Sequence, residues 1–142
     1  DYSRKNFIDS AFTSTQKNAI KTTNVVNNNN IDYGTAGGNN TLDKVFLLSE
    51  SEVYNTDTAA GYGFAKDYST YDEARKSRCS TYAYAMGTYS DYGNIWWWLR
   101  SPGDSSSSAA GVDYDGWVIR YGTNVHSSVG GVRPALHLNL QS

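Results

Sequence analysis

Apolar positions in this chain come in short blocks separated by long polar stretches, and each block carries its own period. Phe7, Ile8, Ala11 and Phe12 recur at helical spacing. Thr13-Ser14-Thr15 then supplies cap-type residues ahead of Gln16 to Ile20, so two short helices are predicted to meet near Phe12 and Thr13. Lys21 to Val26 predicts a short strand. Asn27 to Asn30 and Gly34 to Asn40 hold almost nothing able to pack, which predicts a long, mobile polar loop. Lys44-Val45-Phe46-Leu47-Leu48 reads as a buried strand. Ser49-Glu50-Ser51-Glu52 has the capping-box pattern and opens a helix of one to two turns through Val53 and Tyr54. Asn55 to Lys66 is expected to be loop, punctuated by Gly61 and Gly63. Tyr71 to Met86 is helical only in parts: Asp72 to Ser77 is polar, Ser80 to Met86 puts Tyr82, Ala83 and Met86 on one side, and Gly87 ends it.

The densest apolar block is Asn94-Ile95-Trp96-Trp97-Trp98-Leu99-Arg100-Ser101-Pro102-Gly103. β-prone bulk followed by Arg-Ser-Pro-Gly reads as strand then turn. On an extended chain Trp96 and Trp98 share one side, and Ile95, Trp97 and Leu99 the other. Both sides are apolar, as on a strand covered on each face. Trp97, Trp98 and Leu99 are therefore expected in the core, with Trp96, nearest the polar Tyr92-Gly93-Asn94 loop, reaching a surface pocket. Ala109 to Asp113 and Trp117 to Tyr121 flank Tyr114-Asp115-Gly116, and Asp-Gly is a strong hairpin signal. Val132, Pro134, Leu136, Leu138 and Leu140 keep the even spacing of one buried strand face, with Pro134 marking an edge or bulge. Short helices packed on a mainly antiparallel, loop-rich β region spell α+β in a single domain over 1–142.

Composition narrows the function. At 142 residues the chain can bury about two-thirds of its unfolded surface. Charged residues are 18% and the formal net charge is −2, with pI near 5.6 and no Lys/Arg cluster. Nucleic acid, whose phosphates need a basic face, is excluded as a partner. No apolar run approaches a membrane span, so no membrane insertion is expected. One cysteine, Cys79, rules out an internal disulfide and a Cys-rich zinc site. Twelve Tyr and four Trp among many Asn, Ser, Gly and Thr suit a recognition surface, and suit a loop-rich β protein equally.

Five blocks follow one another in order: Phe7 to Thr13, Asp43 to Ser49, Ser80 to Ala83, Trp97-Trp98-Leu99-Arg100-Ser101-Pro102-Gly103, and Gly131-Val132-Arg133-Pro134-Ala135-Leu136. Their succession resembles a bacterial domain family of unassigned function with a C-type-lectin-like fold. That family is related to the variable proteins of diversity-generating retroelements and, more distantly, is similar to the formylglycine-generating enzymes. The resemblance covers nearly the whole chain, with further sequence expected before Phe7, so the domain could be part of a larger protein. It implies a rigid scaffold of helices and buried strands carrying a diversified C-terminal third, exposed at a cell surface or on a phage particle.

Residues of the kind such diversification leaves lie between the scaffold blocks. Asp91, Tyr92, Asn94 and Trp96 stand at the Trp run, and Asp104, Ser105, Ser106 and Ser107 follow it. Asp113, Tyr114, Asp115, Trp117, Ile119, Tyr121, Thr123, Asn124 and His126 fill the hairpin and the loop after it. These seventeen are the expected ligand-binding residues, with aromatics as anchors and small polar groups setting specificity. The expected partner is a protein or a glycan on another cell or virus.

No catalytic residue, cofactor or metal is expected. Cys79 lies outside the region where a formylglycine-type oxidase would hold its thiols, and a buried, inert cysteine accounts for it. His126 falls in a polar loop, and His137 alternates with Leu136 and Leu138 and should face solvent. Neither forms a zinc or Ser-His-Asp pattern. The sugar-binding motifs of calcium-dependent lectins are missing, so Asp104, Asp113, Asp115 and Asn124 read as solvated loop residues rather than calcium ligands. Arg100 and Arg133 sit in apolar blocks and are expected to anchor loops through hydrogen bonds to carbonyls. An oxidase relative and a passive spacer of a surface protein remain the alternatives to a binding module.

Overall fold

In the computed structural model, which describes residues 6–54, 62–65 and 72–140, the chain is a small α+β domain of short helices and antiparallel sheets. Helix α1 (Phe7–Ala11) starts where Asn6 Oδ1 accepts from Asp9 N at 2.9 Å. Helix α2 (Ser14–Ala19) opens on the Thr13–Gln16 capping box. Neither buries a residue, so the expectation that these helices form part of the scaffold is corrected. At five and six residues they are too short to present a sustained apolar stripe.

Strands β1 (Thr23–Val25) and β2 (Thr41–Asp43) pair with each other. The polar chain between them, expected to be mobile, is tied down at Asn30, which is 2% exposed. Its Nδ2 donates to Pro102 O and Arg120 O, and its Oδ1 accepts from Asp32 N and Tyr33 N. A buried amide must be satisfied, and here four bonds do it.

The predicted capping box opens helix α3 (Glu50–Val53), with Ser49 N donating to Glu52 Oε2 at 2.8 Å. A 3-10 turn (Glu73–Arg75) follows the 62–65 segment. The loop expected over Asn55 to Lys66 falls outside the described residues except at 62–65, as does Tyr71. Helix α4 (Thr81–Ala85) is capped by Ser80 and ends at Gly87, whose φ of +91° no other residue adopts without strain. Ala83 is half-buried there, while Tyr82 and Met86 are exposed.

Strands β3 (Ser77–Arg78), β4 (Ser90–Asp91) and β5 (Asn94–Ile95) form one sheet in the order β3-β5-β4. Strands β6 (Trp97–Pro102), β7 (Ser108–Val112) and β8 (Val118–Asn124) form a third sheet in sequence order. The alternation expected of the Trp block holds: Ile95, Trp97, Leu99 and Ser101 are buried, and Trp96, Trp98 and Arg100 are half-buried. Trp98 is thus not a core residue. It stacks edge-to-face with Trp96, ring centroids 4.7 Å apart, on the outer side of the sheet. The core gathers Trp97, Leu99, Ala110, Val112 and Val118 against Val25, Phe46, Leu48, Val53, Tyr54 and Phe64.

Two predicted strands do not form ladders. Val45 to Leu48 makes a single bridge, Phe46 with Ala135, and Val45 and Leu47 are only half-buried. The C-terminal face is reversed: Val132, Pro134, Leu138 and Leu140 point outward and Leu136 is half-buried, while Gly131 is buried and Arg133, Ala135 and His137 are half-buried. Backbone bonds set this phase. Gly131 pairs with Trp96 and Trp98, Ala135 with Phe46, and His137 O accepts from Lys21 N. A shift of one residue flips every side chain. His137 accordingly turns inward, its Nδ1 3.0 Å from Thr23 Oγ1 and its ring against Phe46.

The arginine expectations hold in geometry. Arg100 donates to Leu47 O (2.8 Å), Val26 O (3.1 Å) and Glu52, joining β1 and α3 to β6. Arg133 lies 5.0 Å over the Trp97 ring and donates to Arg75 O at 3.3 Å.

Candidate functional site

The tip of the β7–β8 hairpin is set by its five-residue turn. Asp113 N donates to Trp117 O (2.7 Å) and Gly116 N to Asp113 O (3.0 Å). Asp115 Oδ1 accepts from Trp117 N, and Asp113 Oδ1 from Tyr114 N, so both carboxylates are spent partly on turn amides. Gly116 has φ +90°, and a Cβ there would stand 2.4 Å from Asp72 O. The turn therefore lies hard against the 3-10 segment.

That segment is held by Arg75, whose burial is complete. Its Nε donates to Val53 O (2.8 Å), one guanidinium nitrogen to Ala65 O (2.6 Å) and the other to Gly116 O (3.5 Å). Trp97 Nε1 donates to Arg75 O at 3.0 Å. Core, helix α3 and hairpin tip thus meet at one side chain. Arg75 stands in a polar run with no apolar period, and no sequence signal separates it from a solvated arginine.

The β4–β5 turn arrives beside this tip. Asp91 faces Asn94 across it, and Tyr92 and Gly93 both have positive φ, +48° and +80°. Type I′ turns demand that geometry and favour Asn-Gly. Tyr92 is the one described non-glycine residue in the left-handed region, and it is 93% exposed. An aromatic there costs roughly 1–2 kcal/mol of backbone strain and buries nothing in return.

The two turns lie within electrostatic reach of one another, and their like charges repel. The charge of Asp91 raises the Tyr114 hydroxyl pKa, with partial burial, Asp113, Asp115 and Tyr92 adding to it. Burial raises the Asp113 carboxyl, opposed by the Tyr114 amide and reinforced by Asp115 and Asp91. The structure therefore brings together Asp91, Tyr92, Asp113, Tyr114, Asp115 and Trp117 as an acidic, aromatic edge.

Apart from Asn94, which faces Asp91 across the β4–β5 turn, the other expected binding residues lie elsewhere. Asp104, Ser105, Ser106 and Ser107 form the β6–β7 loop, where Asp104 N donates to Tyr121 O and Ser108 Oγ to Asp104 Oδ1. Thr123, Asn124 and His126 are at that same end, since Asn124 pairs with Ser108 and Val125 N donates to Ser107 O. The length of β7, about 14 Å at 3.4 Å per residue, separates this end from the tip. Between them Trp96 passes over Gly111, the strand partner of Ile119, and so packs on the sheet's outer face rather than in a surface pocket. Asn94 sits on β5 between Asp91 and Arg78. Cys79 is half-buried rather than buried, its thiol 3.5 Å from Ser80 O.

A cleft of about 220 Å³ that the sequence did not signal opens between α3, Ser101 and the Asn28 to Ile31 loop. Glu50 lines it, 5% exposed, its Oε1 accepting from Tyr54 Oη at 2.8 Å. The sequence marks Glu50 only as part of a capping box, a position that is ordinarily solvated. Among the described residues no three His, Cys, Asp or Glu side chains gather as a metal site, and no helix is long and apolar enough to cross a membrane.

A family model described as "Domain of unknown function (DUF6273)" matches residues 1–140. No curated protein and no solved structure matches the chain.

Proposed function

The chain belongs to this family of unknown function, and from its own geometry we propose that it is a non-enzymatic ligand-binding module whose contact surface is the acidic, aromatic tip. One observation carries the reading. Tyr92 is held in strained backbone at full exposure, beside Tyr114 and three carboxylates. Strain retained without a folding return is a signature of function. Rigid aromatics flanked by small polar acceptors are the chemistry of a paratope, and a tip fixed beneath by Arg75 loses little entropy on binding. The partner is a protein or glycan surface carrying basic or hydrogen-bond-donating groups, met on another cell or a virus. The fold is taken as C-type-lectin-like and the tip as a diversified surface, in keeping with the block order of the sequence.

Panning a random peptide display library against the purified chain tests this. Selected peptides should lose binding to Tyr92→Ala, Tyr114→Ala and Trp117→Ala while keeping it for Ser106→Ala and Asn124→Ala at the far end. Peptides indifferent to the tip variants would remove the assignment. Diversification has its own test in the neighbouring DNA: a near-duplicate of the segment encoding Asp91 to Leu136, differing mainly at adenines.

A further inference from the structure

We infer that the Glu50 cleft is a binding site for an alkylammonium group, a primary amine on a short aliphatic stem. The cleft shares no residue with the hairpin tip and the inference is independent of the tip's role. Its walls combine Ile31 and the Tyr54 ring with Asn28, Asn29 and Ser51, and Glu50 lies against Ser101. Most of that lining is carbon, which suits a stem, and the polar groups present are acceptors or can act as acceptors, which suits a donor head.

Glu50 supplies the charge. It is nineteen-twentieths buried by its 5% exposure, yet among the described residues its carboxylate has one hydrogen-bond partner, the Tyr54 hydroxyl on Oε1. Among the described residues no cation forms an ion pair with it. The nearby guanidinium of Arg120 pairs with Asp32, donates to the Tyr54 hydroxyl at 3.3 Å and reaches Glu50 only through that hydroxyl and through space, and that of Arg100 is committed to Glu52. The Asp32–Arg120 pair is neutral in sum, which leaves the cleft with one net negative charge. A buried carboxylate without a cationic partner is costly, and a ligand ammonium placed against it recovers that cost. Burial raises the Glu50 carboxyl above its ordinary value, and the charge of Asp32 adds to this, against the opposing Tyr54 hydrogen bond and Arg120 charge. The three donors of an ammonium match the second carboxylate oxygen, a serine hydroxyl and an Asn28 or Asn29 carbonyl. A methyl-terminated alcohol of equal length would leave the carboxylate unpaired.

The experiment is a ¹H–¹⁵N correlation titration of the whole chain with n-butylammonium, with 1-butanol as the neutral isostere. Putrescine and a blocked lysine amide distinguish a free polyamine from a peptide side chain as the natural source. Expected are shifts confined to Asn28, Asn29, Ile31, Ser49 to Tyr54 and Ser101, with Kd on the order of 1 mM for so small a ligand. Glu50→Gln, which keeps the shape and the acceptor for Tyr54, should weaken binding at least tenfold. Ile31→Ala, at an exposed wall residue whose loss leaves the core intact, should weaken it severalfold. Equal binding of 1-butanol, n-butylammonium shifts that persist in Glu50→Gln, or shifts centred on the hairpin tip would each overturn the assignment.

Discussion

Replacing Arg100 by lysine separates its charge from its geometry. Arg100 donates to the carbonyls of Leu47 and Val26 and to Glu52, an ion pair whose side chains are 13% and 16% exposed. A lysine ammonium is a point charge that keeps Glu52 neutralised but cannot span the two carbonyls as well. Two lost bonds at about 1 kcal/mol each predict a loss of about 2 kcal/mol. At about 4 °C per kcal/mol for a domain of this size, Tm falls by about 8 °C. Arg100→Met removes the charge too and leaves Glu52 buried alone, which predicts a loss of about 3–5 kcal/mol. The pH dependence gives a sharper test. Burial pushes the Glu52 carboxyl up, but the hydrogen bond and charge of Arg100 and the bonds from Ser49 outweigh it, so its pKa is lowered on folding. A lowered carboxyl contributes stability above its unfolded value near 4.5, lost as pH falls through the folded value. Glu52→Gln should therefore destabilise the native chain at pH 7, and the effect should shrink in acid. In the Arg100→Met background the sign should invert, with Glu52→Gln stabilising at pH 7. Thermal melts of the four variants between pH 3 and 7 measure this. An Arg100→Lys chain as stable as the native one, or no inversion, refutes the assignment of Arg100 as a geometric clamp.

Tyr92→Asn relieves the left-handed strain and should raise stability by about 1 kcal/mol in urea titrations, while abolishing ligand capture at the tip. Gly116→Ala combines φ +90° with a Cβ 2.4 Å from Asp72 O and should cost more than about 2 kcal/mol in the same assay. Glu50→Gln should raise Tm at pH 7 but not near pH 4, because burial raises the Glu50 carboxyl; the groups facing it are Asp32, Tyr54 and Arg120. A raised carboxyl weakens the fold only as pH rises through it, so calorimetry showing the gain in acid instead would refute this sign. Arg133→Ala, which uncovers Trp97 and leaves Arg75 O with one donor fewer, should lower Tm more than it alters ligand affinity.

What the sequence discloses depends on how local the determinant is. The helix start at Thr13 to Thr15, the Ser49 capping box, the Asp115-Gly116 hairpin and the Gly87 helix end are written within a few residues, and each stands where the pattern places it. The alternation through Trp97 and Leu99 is equally local. The phase of the C-terminal segment is not, because Pro134 breaks the ladder and bonds from Trp96, Phe46 and Lys21 decide which residues turn inward. Even spacing alone marks two faces without saying which one meets the core. Glu50 and Arg75 show the same limit for polar groups. Their burial depends on Ser101, 51 residues from Glu50, and on Val53, 22 residues from Arg75, partners that no short window of sequence contains. The expected binding residues are of the kind diversification leaves and lie between the scaffold blocks, which says nothing of their place in space, and the hairpin's length divides most of them between two ends.

Thr23 and His137 touch across 114 residues, in a seam where the last segment lies along the first. Closing a loop of that size costs on the order of 4 kcal/mol of chain entropy, and contacts this remote form late. A nascent chain therefore leaves Phe46 uncovered until Ala135 and His137 have been synthesised and can close over it. Proteolytic clipping after Gly131 would return a mature molecule to that sticky, half-finished condition.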